Sequence, residues 1–275
     1  MKAMIVKLGL LAVIAAVCVV IAMAYSRGRD SRYYRLIATV VTPVSDRLVR
    51  VDEPPLALPF EADLGAELDA QWRWFQPELT AVDRVDGALS MTPGTESVWW
   101  LNQRGPLVYR YLDGDGVVTT AVRVRKRSDN ALPPDMEWQF GGIILRDPRG
   151  DAWFSLENYV FNVVGHRGRN LQVETKTTLD GHSRVDAWDW RSGDAELRIV
   201  RRGALFELAA RPDAVSPWQP LISYERKDLP SLLQVGLIVY AYSEGRGRYD
   251  VQVFFDGFAV DRVASTLASA QPAAH

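Results

Sequence analysis

Val117–Arg125 reads VVTTAVRVR, and this alternation limits what the chain can fold into. Successive side chains of a strand point to opposite faces. Val118, Thr120, Val122 and Val124 therefore share one face, while Thr119, Ala121, Arg123 and Arg125 share the other. One face belongs in a core and the other in water, as antiparallel sheets permit. The strand leaves a tight turn, Asp113-Gly114-Asp115-Gly116. The same succession of strand and turn recurs along the chain. Asp180-Gly181 separates Leu171–Thr178 from Ser183–Trp190, and Arg201-Arg202-Gly203 separates Ala195–Val200 from Ala204–Ala210. Pro217–Tyr224, Leu232–Ala241 and Tyr249–Val260 complete the series. Turn signals recur roughly every ten residues, and no helical period extends beyond Ala62. This predicts an all-β fold, an antiparallel two-sheet β-sandwich or jelly roll.

The middle of the series is Trp138–Gly165. Phe140–Leu145 and Trp153–Leu156 are apolar runs on either side of Arg146–Asp151. Asp, Pro and Gly in that hexapeptide predict a hairpin turn, with a third strand over Tyr159–Val164. Upstream, Gln71–Phe75 reads as a short aromatic strand or loop, and Gly87–Met91 follows a turn at Asp83–Asp86. Ser97–Leu101 and Leu107–Leu112 read as strands either side of Gln103–Pro106. Pro43, Pro54, Pro55 and Pro59 make residues 26–61 a linker, the sandwich spans 62–262, and 263–275 form a small, polar tail.

Nearly half of the 275 residues are apolar, enough for a sizeable core without disulfides. The formal net charge of −2 offers no basic surface for nucleic acid. Cys18 is the one cysteine and lies before the domain, so no disulfide or thiolate metal site is expected inside it.

Leu8–Tyr25 carries no charge, and Lys2 and Lys7 precede it. It is just long enough to cross a membrane. Ala22-Met23-Ala24 also fits a signal-peptide cleavage site. Arg27, Arg29, Arg32 and Arg35 come directly after and disfavour cleavage, so residues 1–25 are read as an uncleaved anchor, with secretion after cleavage near Ala24 as the alternative. Those arginines favour a cytoplasmic position for the domain C-terminal to them. The use of such anchors to display sandwiches favours the extracytoplasmic side, which is the placement expected here.

The order of segments carries a family likeness. Trp72-Arg73-Trp74 is followed by Gly87-Ala88-Leu89, Trp99-Trp100, the strand Gly116–Val124 and Gly141–Asp147 (GGIILRD). Then come Leu197–Gly203, Trp218, Val235-Gly236-Leu237 and Phe254–Phe258. This order resembles the concanavalin A-like lectin/glucanase superfamily. It is nearest the non-catalytic sandwich domains appended to bacterial β-xylosidases and a related bacterial domain family. The resemblance implies a jelly roll whose concave face binds carbohydrate in some relatives. It implies no activity, since such folds host lectins, hydrolases and spacers alike.

A glycosidase needs two carboxylates astride the scissile bond. Glu67-Leu68-Asp69 begins the acid motif of the superfamily's hydrolases, but the closing Glu is missing. Glu157 is the remaining candidate acid, with no partner in sequence; strand parity puts it on one face with Trp153 and Ser155. Asp113 and Asp115 lack the further oxygen ligands of a calcium loop, although sandwich lectins hold structural calcium through scattered ligands. His166 and His182 lack metal-ligand spacing. For stacking on sugar rings the pool is Trp99, Trp100, Trp138, Trp153, Tyr159, Trp188 and Trp190. Trp188 and Trp190 share a face, as a stacking platform or as inter-sheet core, whereas Trp99 and Trp100 point opposite ways. The candidate ligand-binding residues are thus Trp153, Glu157, Trp188 and Trp190. The expected function is a membrane-tethered or exported non-catalytic sandwich that binds glycan or a cell-envelope partner. A ligand-free scaffold and a divergent glycoside hydrolase using Glu157 are the alternatives.

Overall fold

The computed structural model describes residues 53–151, 157–244 and 249–264. Leu8–Tyr25, Cys18 and Trp153 lie outside them. Among the described residues no helix is long and apolar enough to cross a membrane. The fold is all-β, two antiparallel sheets packed as a sandwich. The first sheet runs, in spatial order, through β13 (Gln219–Glu225), β12 (Leu205–Arg211), β11 (Asp194–Arg202), β6 (Gly116–Arg125), β15 (Gln252–Asp261), β4 (Ala88–Pro93) and β3 (Thr80–Val85). A short β1 (Phe60–Ala62) pairs with the far end of β15. The second sheet runs β10 (His182–Asp189), β9 (Asn170–Leu179), β8 (Tyr159–Arg167), β7 (Gln139–Arg146), β14 (Leu232–Ala241), β5 (Leu107–Asp113) and β2 (Arg73–Phe75).

The alternation of β6 is realised as read. Val118, Thr120, Val122 and Val124 are buried between the sheets, and Thr119, Ala121, Arg123 and Arg125 are part-exposed on the outside. Each fully buried valine contributes on the order of 1.5–3 kcal/mol relative to exposure. They join Phe206, Leu208, Leu237, Val239 and Phe255 in the inter-sheet core. In β15 a bulge lies between Asp256 and Phe258, with Gly257 at φ 75. The extra residue shifts strand parity, so Phe255 and Phe258, three positions apart, both enter that core. The hairpin turn at Asp180-Gly181 has φ 50 and 71, the left-handed pair that Asp-Gly accepts. Leu56 is also buried in the core, so packing begins inside the stretch read as linker.

Two segments depart from the sequence reading. Phe140–Leu145 lies in β7, which pairs with β8, from Gln139 opposite His166 to Arg146 opposite Tyr159; Trp153–Leu156, read as the other arm of the hairpin, lies outside the described residues. The turn residues Pro148–Asp151 form a 3-10 turn, and Arg146 is the last strand residue. Ser97–Leu101 is no strand either, with a single bridge between Ser97 and Ala241. It lies across the outer face of the second sheet, where Trp99 is fully buried. Trp99 and Val98 cover Leu107, Tyr109, Phe140, Ile144, Tyr159, Phe161, Val163, Ile238 and Tyr240, a second apolar cluster. The second sheet is therefore buried on both faces over its centre, and β7 reads as unbroken hydrophobic sequence for that reason. Gly105 permits this cover, because a Cβ there would stand 2.5 Å from the Trp99 indole nitrogen.

Candidate functional site

Strand parity sorts the chemistry of the second sheet. Phe140, Ile144 and Arg146 of β7 point outward, as do Tyr159 and Phe161 of β8. On β9 the outward residues are Glu174, Lys176 and Thr178, opposite Val163, Phe161 and Tyr159. On β14 they are Gln234, Gly236, Ile238 and Tyr240. Two polar groups on this outer face are deeply buried, one near each end of the aromatic cluster.

The first is centred on Arg146, which is 0% exposed. Its Nε and Nη2 donate to the two Glu157 oxygens at 2.8 and 2.9 Å. Its Nη1 donates to Asp151 at 2.5 Å and to the Gln234 side-chain oxygen at 2.6 Å. Gln234 in turn donates to the other Asp151 oxygen at 2.6 Å. The Phe75 ring lies 4.5 Å from the guanidinium. Burial pulls the Arg146 proton affinity down, but the Glu157 and Asp151 carboxylates more than offset this, and the net direction is up. Glu157 is 1% exposed. Fixed by two charge-assisted bonds, it serves as the counter-ion of Arg146. The nearest second acid, Asp151, holds the same guanidinium.

The second is Lys176. Its ammonium donates to the Trp99 carbonyl at 2.5 Å. It lies 4.5 Å from the Phe161 ring, 4.9 Å from Tyr240 and 5.0 Å from Trp100. Burial lowers its pKa to about 7, against the pull of Glu174. Burial likewise raises Glu174, which Arg167 holds at 3.2 Å. Beside this cage a groove of about 440 Å³ opens to solvent. Trp100, Trp138, Tyr240 and Tyr242 provide its rings, and Gln103, Arg167, Glu174 and Lys176 its polar groups. Trp138 packs on Tyr242 with ring centroids 5.2 Å apart. Trp100 is 37% exposed. Trp138 and Leu101, the neighbour of Trp100, both hold left-handed backbone, at φ 53 and 56. Bulky residues adopt that conformation only where their surroundings enforce it, and such positions gather at functional sites. Rings with donors and acceptors beside them suit a flat, hydroxyl-rich ligand.

The sequence candidates are scattered by comparison. Trp188 and Trp190 share a face, as parity required, but it is the face turned toward the first sheet. Trp188 stands opposite the core residue Val173. Trp190 packs against the inter-sheet core and donates its indole N–H to the Asp194 carbonyl at 2.8 Å. Both are half-buried. Glu157 lies in the Arg146 cluster. The groove draws Trp100 and Trp138 from the aromatic pool, while Tyr240, Tyr242, Glu174 and Lys176 carried no signal beyond their strand parity. Asp113 accepts from the Ser231 hydroxyl and Asp115 from the Gly203 amide, which ties adjacent turns together. His166 is buried with Nδ1 3.0 Å from the Met136 carbonyl, and His182 is exposed. Among the described residues no three His, Cys, Asp or Glu side chains gather as a metal site would need.

Lys176 sets a pH dependence. Between about pH 7 and its ordinary value of 10.5, the unfolded chain keeps a proton that the folded chain has released. Stability therefore rises with pH in that window, by at most about 1.4 kcal/mol per pH unit. Chemical denaturation at pH 7 and pH 9 is expected to show this gain in the native chain and a flat response in Lys176→Met. Equal slopes in the two proteins would remove Lys176 as its source.

No protein-family model matches the sequence, and no curated protein matches it. Solved structures do match. A functionally unknown protein from Saccharomyces cerevisiae superposes with a TM-score of 0.57 at 12% identity, over 71% of this chain and 98% of that one. The GH43 protein BlXynB from Bacillus licheniformis gives 0.56 at 14% identity. Xylan beta-1,4-xylosidase from Bacillus halodurans C-125 gives 0.54 at 16%. Each of these two matches covers 78% of this chain but only 40% and 41% of the enzyme, so the chain spans about two-fifths of their length. At such identities the likeness shows the fold, a β-sandwich.

Proposed function

We propose that this protein is a non-catalytic carbohydrate-binding sandwich of the concanavalin A-like jelly-roll type. Its ligand site is the groove over the second sheet. The observation that carries the reading is the set Trp100, Trp138, Tyr240 and Tyr242 around one opening, with Gln103, Arg167 and Glu174 within reach of sugar hydroxyls. The jelly-roll assignment is supported by the strand order and by the sandwich likeness to GH43 proteins. Absence of catalysis is supported by the burial of Glu157 against Arg146, which leaves it no open face for a substrate. The N-terminal apolar segment holds the sandwich at a membrane on the extracytoplasmic side, or directs it out of the cell if cleaved.

Because the neighbours include a xylan beta-1,4-xylosidase, xylo-oligosaccharides are the first ligands to test. Calorimetric titration of the full chain against a broad oligosaccharide panel is expected to find binding. Trp100→Ala and Trp138→Ala are each expected to weaken it about tenfold, which corresponds to roughly 1.4 kcal/mol. Silence across the panel would sink the reading.

A further inference from the structure

The outer face of the first sheet, on the opposite side of the sandwich, holds a second depression of about 700 Å³. Arg198 of β11 rises within it. Its cross-strand neighbours are Thr119 and Ala209, too short to fill the space around it. The Arg198 guanidinium lies 4.3 Å from the Trp218 ring, and Arg211 lies 4.4 Å from the same ring. The two arginines differ in their partners. Arg211 is held by Glu196 at 2.5 Å, and the nearby Arg202 is held by Glu207. Among the described residues the Arg198 side chain has no carboxylate partner and donates no hydrogen bond. Its Nε is shut off from solvent with no acceptor. Burial, then repulsion from Arg211, lowers its proton affinity, and Glu207 only partly offsets this.

A half-buried guanidinium stacked on an indole, with no acceptor for any of its N–H groups among the described residues, is a fork without its oxygen pair. We propose that this depression is an oxyanion site, in which a phosphate or carboxylate group accepts hydrogen bonds from Arg198. The planar fork of arginine matches two oxygens of such a group. Arg202 and Arg262 line the same depression, against Glu207 and Asp261. Three guanidinium groups over two carboxylates leave one net positive charge, which suits a singly charged anion. Pro220 and Ile222 add apolar wall, so the anion is expected to carry an apolar substituent. The site is independent of the aromatic groove and stands or falls separately from it.

The test uses the full chain in an uncharged polyoxyethylene detergent. Dimethyl phosphate and butyrate are titrated while the arginine Nε–H signals are followed by NMR. One such signal, missing from Arg198→Gln, is expected to shift on saturation, and that variant is expected to weaken binding at least tenfold. Its melting temperature is not expected to fall, because the replacement removes a repelled, unsatisfied cation. A parallel sedimentation assay compares phosphatidylcholine vesicles with and without phosphatidylglycerol. An Arg198-dependent gain on the anionic vesicles would assign the group to a lipid headgroup, and anion binding without that gain would assign it to a soluble ligand. No shift with either anion, or equal affinity in Arg198→Gln, would overturn the proposal.

Discussion

Replacing Arg146 with Met is expected to cost about 3–5 kcal/mol of stability, because it leaves the buried Glu157 without its two charge-assisted bonds, and with only Arg104, at 3.7 Å, as a counter-charge. Arg146 is fully buried and makes four side-chain bonds to Glu157, Asp151 and Gln234. Asp151 reaches solvent, with a third of its side chain exposed, and can be rehydrated. Glu157, at 2% side-chain exposure, cannot. Removing both charges is therefore expected to be milder than removing one, and Arg146→Met with Glu157→Leu is expected to recover most of the loss. Urea denaturation of the two variants checks this. If the double variant were no more stable than Arg146→Met alone, the ion pair would not be the source of the cost.

Trp99→Ala is the second large effect, expected to cost about 3–5 kcal/mol as a large core ring removed with partial collapse of the cavity. The ring meets Tyr159 edge-on, with centroids 5.7 Å apart, and covers the outer face of the second sheet. The carbonyl of the same residue anchors Lys176. Loss of the ring is thus expected to loosen the groove as well, so that ligand affinity falls together with stability. Trp100→Ala, at the exposed position, is expected to lower affinity while changing stability by less than about 0.5 kcal/mol. Thermal melts and ligand titrations of the two variants separate these effects. Equal stability losses at the two positions would remove Trp99 as the special cover.

Much of the architecture is legible in the chain because its signals are local. The alternation Val117–Arg125 and the turns Asp180-Gly181 and Gly203 each act over a few residues, and the strands form where those signals put them. The cover of the second sheet is not local. Ser97–Leu101 has the composition of a strand, and only the tertiary position of Trp99 makes it a lid. Arg146 comes after an apolar run and precedes Asp147-Pro148, so its own neighbours describe a turn residue. Its burial depends on Gln234, far along the chain on the adjoining strand. The groove is similarly non-local. Trp100, Trp138, Lys176 and Tyr240 come from two loops and two strands. Parity paired Trp188 with Trp190 correctly, but parity assigns residues to a common face without saying which face is open.

The assignment of the aromatic groove over the second sheet as the ligand site can be checked by fluorine NMR of the full chain carrying 5-fluorotryptophan, with signals assigned by single Trp→Phe variants. On saturation with the tightest oligosaccharide of the panel, the Trp100 and Trp138 signals are expected to shift while those of Trp188, Trp190 and Trp218 stay in place. Shifts at Trp188 or Trp190 with Trp100 and Trp138 unmoved would contradict that assignment.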